Sequence, residues 1–102
     1  MNSPEIEKLL KEHSDIKELE SEYNSYIDKL KAEQSLIKQV MEEVNSWKAG
    51  NAQETFMGEL EDYHYEYTMK IVSLEEVHRK IGRAEKNIRN LLNSELNKGP
   101  RF

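Results

Sequence analysis

The chain has 102 residues, 36% of them hydrophobic and 34% charged, which is room for one domain and little material for a globular core. It has no cysteine, which excludes disulfides and cysteine-based zinc sites, and its net charge of −5 argues against nucleic acid, whose binders need a basic face to neutralise phosphates. Its apolar residues recur at regular spacing, which excludes a disordered low-complexity chain and points to long helices with one sticky face.

The start, MNSPEIEKLLKEHSD, has no basic stretch followed by an apolar run, and no segment approaches the roughly 18 apolar residues of a membrane span. No membrane span is therefore expected, and the chain reads as cytoplasmic before any export. Asn2 or Ser3 suits the cap of a first helix, Pro4 its first position, and Glu5 and Glu7 the positive end of its dipole. From there a seven-residue series runs Leu9, Ile16, Tyr23, Leu30, Ile37 and Val44. A second, three residues on, contributes Leu19, Tyr26, Val40 and Trp47, interrupted by Glu12 and Glu33. Together they predict a coiled-coil seam over residues 4 to 48, which Ile6, Ile27 and Met41 widen into a broader stripe.

The pattern stops at Trp47-Lys48-Ala49-Gly50-Asn51. Gly50 suits the left-handed conformation that ends a helix, and Asn51 suits the cap of the next, with Glu54 three residues on. A second helix is then expected over about 52 to 97. It places Phe56, Leu60, Tyr63, Tyr67, Ile71, Leu74, Val77 or His78, Ile81, Ile88, Leu91 and Leu92 at steps of three, four or seven. Gly58 and Gly82 interrupt it, each at about 1 kcal/mol against alanine, and either permits a close crossing or a kink. Lys98-Gly99-Pro100 ends it. Its start carries Glu54, Glu59, Glu61, Asp62 and Glu66 with no base, whereas Arg79, Lys80, Arg83, Lys86 and Arg89 crowd its later half, complementing the helix dipole. The fold class read from this pattern is all-α, a single domain over 1–102 in which two long antiparallel helices form a hairpin.

No enzyme, cofactor or metal site can be assembled from these residues. His13, His64 and His78 have no cysteine nearby, and no two of them are three to five apart. The carboxylates read as solvated helix faces, and there is no phosphate-binding glycine loop and no nucleophile motif beside a base. The aromatic group is more informative. Tyr63 and Tyr67 share a face with Phe56 and read first as core, whereas Tyr65 lies off the main seam and suits a second interface. Tyr23, Tyr26, Tyr63, Tyr65, Tyr67 and Ile71 are the candidates for binding a partner.

The turn segment Asn45-Ser46-Trp47-Lys48-Ala49-Gly50-Asn51-Ala52-Gln53-Glu54-Thr55-Phe56, midway along a chain of this length, resembles the signature of the WXG family of small helical hairpins from type VII secretion. Trp47, Gly50, Ala52 and Phe56 would fill the turn motif, with one extra residue between Trp47 and Gly50. The resemblance implies a Trp wedged in the groove between the helices. The aromatic-then-acid pair that exported members carry near the end of helix two is absent: Tyr67, Met69, Ile71 and Leu60 stand four residues after Tyr63, Tyr65, Tyr67 and Phe56. The chain therefore looks more like the small helical proteins associated with LXG toxins of Gram-positive bacteria. That likeness implies an adaptor or targeting factor that binds the helical amino-terminal LXG domain of a toxin for a type VIIb machine, with a second small helical protein as a further partner and co-secretion with the complex. The alternatives are a self-pairing WXG-type secreted homodimer and a structural coiled-coil subunit of an unrelated complex.

Overall fold

The computed structural model describes residues 4–48 and 50–98, so the caps expected at Asn2 or Ser3, Ala49 of the turn and the stop at Gly99-Pro100 lie outside the described residues. Helix α1 spans Pro4–Asn45 and helix α2 spans Asn51–Asn97; no strand occurs among the described residues. The chain is an all-α helical hairpin, as its apolar periodicity requires. Glu5 and Glu7 stand in the first turn of α1 and Glu54 in that of α2, where carboxylates meet the positive end of each helix dipole.

The reversal is built from local hydrogen bonds. Ser46 N donates to Glu43 O at 3.1 Å and Trp47 N to Val44 O at 3.0 Å, a tightened last turn that satisfies two carbonyls with no partner further along the helix. Ser46 Oγ adds a bond to Glu43 O at 2.6 Å, and the Gln53 amide donates to Val44 O at 3.2 Å from the start of α2. Glu54 N donates to Gly50 O at 3.0 Å, so Gly50, not Asn51, occupies the cap position of α2, and Asn51 is its first helical residue. Gly50 does not adopt the left-handed conformation expected of it, and a Cβ placed there would have nothing within 4 Å. The i→i+3 bonds close the last turn of α1.

The hairpin divides into two compact units, Met1–Asn24 with Glu76–Phe102, and Ser25–Glu75. We call them the end unit and the turn unit. The core of the turn unit is Ile27, Leu30 and Ile71, with Tyr67 and Leu74 packed against it; Val44 and Leu60 are also buried. Burying such aliphatic side chains contributes about 1.5–3 kcal/mol each. In the end unit the buried residues are Leu92 and, unusually, the carboxylate Glu85. His13 Nε2 lies 3.3 Å from Glu85 Oε2, and the Arg89 guanidinium 3.8 Å from Oε1. Among the described residues no buried side-chain polar atom lacks a hydrogen bond.

The seam departs from the expected one in its second series. Leu9, Ile16, Tyr23, Leu30, Ile37 and Val44 do turn inward, all buried or half-buried. Beside them come Ile6, His13, Glu20, Ile27, Gln34 and Met41, also buried or half-buried. The apolar Leu19, Tyr26, Val40 and Trp47 are instead exposed. On α2 the same choice turns Leu60, Tyr67, Leu74, Ile81 and Ile88 inward with Met57, His64, Ile71, His78, Glu85 and Leu92, and leaves Phe56, Tyr63, Val77 and Leu91 outside. Two helices bury only part of a stripe three series wide, so one of the two flanking series is left outside. Part of that polar series is paired across the helices: His13 with Glu85, and Gln34 with Thr68. In the turn unit Gln34 Nε2 donates to Thr68 Oγ1 at 2.6 Å and His64 O at 3.3 Å, while Thr68 Oγ1 donates to His64 O at 3.0 Å. A Cβ added at Gly82 would meet only the end of the Glu20 side chain, at 3.4 Å from Oε2, and one at Gly58 would face open space, so neither glycine is needed for a close crossing of the helices.

Candidate partner-binding face

In the turn unit the two flanks of the seam differ in chemistry. On one, Lys31 of α1 pairs with Glu75 of α2 at 3.8 Å; Lys38 follows one heptad on along α1, and Thr68 and Glu61 precede Glu75 by one and two heptads on α2. That flank is polar and carries one ion pair between the helices. On the other flank α1 presents Tyr26, Glu33 and Val40 at seven-residue steps, ending at Trp47 just past the helix, and α2 presents Phe56, Tyr63 and Lys70. The rings of Trp47 and Phe56 stack across the turn with centroids 6.0 Å apart and planes 7° from parallel, which places the two series on one side. Tyr26 and Lys70 together line a shallow groove floored by Leu30 and Leu74, further along that side.

Trp47 is 55% exposed, so the expected wedge between the helices is corrected. Val44, at 1% exposure, takes the last inward position of α1, and Trp47 emerges three residues later beyond the helix, where Phe56 covers one face of its ring. Of the other turn-motif residues, Ala52 and Gly50 are exposed. The turn therefore falls where the motif predicts, with its aromatic pair on the surface.

The aromatic candidates separate in the same way. Tyr26, Tyr63 and Tyr65 are exposed, Tyr67 is half-buried, and Tyr23 is half-buried in the end unit. Ile71 is corrected as a partner contact: at 5% exposure it belongs to the turn unit's own core, because it follows Leu60 and Tyr67 on the inward stripe. Tyr63, read first as core, stands 57% exposed on the apolar flank. Tyr65 does lie off the seam, joined by exposed Met69 and Val72 at i+4 and i+7. Leu36 and Val40 are further exposed apolar residues of α1 that were not singled out as contacts. Choosing between the series three and four residues after Leu9 and its repeats would have revealed Val40, but both choices are equally helical in period.

Tyr67 links the core to the flank. Its hydroxyl donates to Glu33 Oε2 at 2.8 Å, and Lys70 Nζ lies 5.7 Å from its ring centroid. The hydrogen bond to Glu33 holds the phenol above its ordinary titration range, aided by desolvation and by the negative charges of Glu33 and Tyr26. Among the described residues no group of three or more His, Asp or Glu is placed to hold a metal ion, and no helix is long and apolar enough to cross a membrane.

No family model, no curated protein and no solved structure matches this chain.

Proposed function

We propose that this chain is a non-enzymatic docking hairpin that binds a helical protein partner along the apolar flank beside its seam. The observation that carries the reading is the asymmetry of the turn unit: charged residues pair on one flank, while Val40, Trp47, Phe56 and Tyr63 stand exposed on the other. Soluble monomers rarely leave contiguous large apolar side chains uncovered, and an amphipathic helix laid in such a groove buries them. The resemblance of the Trp47–Phe56 segment to the WXG turn supports a narrower form: an adaptor that binds the helical LXG domain of a toxin and prepares it for export by a type VIIb secretion system, leaving the cell with that partner or remaining behind.

The test is co-expression with the LXG domain encoded beside the gene, read by co-purification and by the mass of the complex. A stable complex is expected, together with loss of toxin export on deletion of the gene. Val40→Glu should abolish association while circular dichroism stays unchanged, because an unpaired carboxylate is buried only in the complex. If the chain instead pairs only with itself and export proceeds without it, the self-pairing hairpin replaces the adaptor.

A further inference from the structure

The docking face has a charge border as well as an apolar floor. In the turn unit Tyr63 shares a surface groove with Glu59, Asp62 and Glu66. Glu59 and Glu66 lie four residues before and three after Tyr63, on the next row of α2 outward from the apolar flank. None of these three carboxylates takes part in an ion pair of the described residues, whereas Glu75, on the opposite flank of the same unit, is paired with Lys31. Residues 54–66 hold five acids and no Lys or Arg; Lys70, four residues after Glu66, is the first cation along the helix, so Glu59 and Asp62 have none within four residues on their own helix. A ligand laid over Val40, Trp47, Phe56 and Tyr63 runs beside these unpaired carboxylates.

We propose that this face takes an amphipathic helix of another protein whose apolar stripe is bordered by Lys or Arg. The inference rests on the docking reading and specifies the partner's chemistry. An acidic or neutral border would leave Glu59 desolvated beside the contact with no cation within one turn of its own helix, and like charges across an interface select against the wrong partner. A second copy of the chain joined by a two-fold contact centred on this patch would bring the same acidic rows together.

Trp47 is the only tryptophan and sits in the proposed contact, so its emission reports occupancy directly. The experiment uses the full chain and two synthetic, tryptophan-free helical peptides with the same leucine stripe, one bordered by lysine and arginine and the other by glutamate. The basic peptide should shift Trp47 emission to the blue and bind about five- to tenfold more tightly at low salt, as two or three exposed ion pairs would give, with the advantage shrinking as salt is added. The double variant Glu59→Lys/Glu66→Lys should reverse the preference. Its helicity serves as the folding control, and Glu59→Gln/Glu66→Gln, which only removes charge, should erase the preference. Equal binding of the two peptides, or preference for the acidic one, would overturn the basic border while leaving docking by the apolar face intact. A blue shift that grows with the concentration of the free chain alone would assign the face to a second copy and overturn the proposal. Binding of the basic peptide with no change in Trp47 emission would place the contact elsewhere and overturn it too.

Discussion

Because Trp47 is half in water and gains its stabilisation chiefly from stacking on Phe56, Trp47→Ala should lower stability by about 1 kcal/mol, far less than the roughly 3–5 kcal/mol of a fully buried ring. Urea denaturation followed by circular dichroism checks this, and a loss near the upper figure would contradict the exposed position. The glycines give predictions of opposite kind. Gly58 is in the interior of α2 with free space around it, so Gly58→Ala should stabilise by about 0.5–1 kcal/mol, visible as a raised melting temperature. Gly50 caps α2 without a positive φ, so Gly50→Asp should be tolerated and add a few tenths of a kcal/mol, about the margin between glycine and the best capping residues. Tyr67 supplies a pH prediction. A group whose folded-state pKa is raised contributes stability that is intact below its unfolded value, about 10, and is lost as pH rises through the folded value. The hairpin should therefore weaken in strongly alkaline solution, and an ultraviolet titration should find Tyr67 ionising above the ordinary phenol range. Glu33→Gln should remove that shift by taking away the acceptor carboxylate.

At the scale of the helices, the decisive feature is a carboxylate buried among the inward residues. Glu85 is 8% exposed on α2 and meets His13 of α1, with Arg89 one turn further along its own helix. His13→Ala removes the inter-helix partner of a buried carboxylate and should cost about 1–3 kcal/mol in thermal or urea unfolding. The double variant His13→Leu/Glu85→Leu replaces the pair by apolar groups, and buried ion pairs replaced in this way are often neutral or stabilising. It should be at least as stable as the parent. If the double variant unfolds more easily than His13→Ala, the pair stabilises beyond its local contacts, as a register pin would. Apolar periodicity alone made both helices legible, since each keeps one period for over ten turns of sequence. It did not reveal which of two neighbouring series turns inward, because Leu19, Tyr26, Val40 and Trp47 fit a helical stripe as well as Ile6, Ile27 and Met41 do.

At the scale of the molecule, the two units bury different kinds of residue. The turn unit has a cluster of Ile27, Leu30 and Ile71 with Val44 and Leu60, whereas the end unit buries Leu92 and Glu85. Local stability follows buried apolar contact, so amide hydrogens near Ile27 and Ile71 should exchange more slowly than those near His13 and Leu92. Uniform protection along both helices, measured by hydrogen exchange, would show that the hairpin opens as one cooperative body.

The sequence by itself determined the class of fold, the number of helices and the place of the reversal. These follow from apolar spacing and from the break at Trp47–Asn51, which act along the chain and need no knowledge of the partner helix. Only the tertiary structure decided which face is core. Tyr63 and Ile71 were both read as members of one stripe, yet Tyr63 stands in water and Ile71 is buried. The difference arises because burial depends on what the facing helix offers: Gln34 finds Thr68 and His13 finds Glu85, so polar residues turn inward with partners in place, and Tyr26 and Tyr63 are left on the flank.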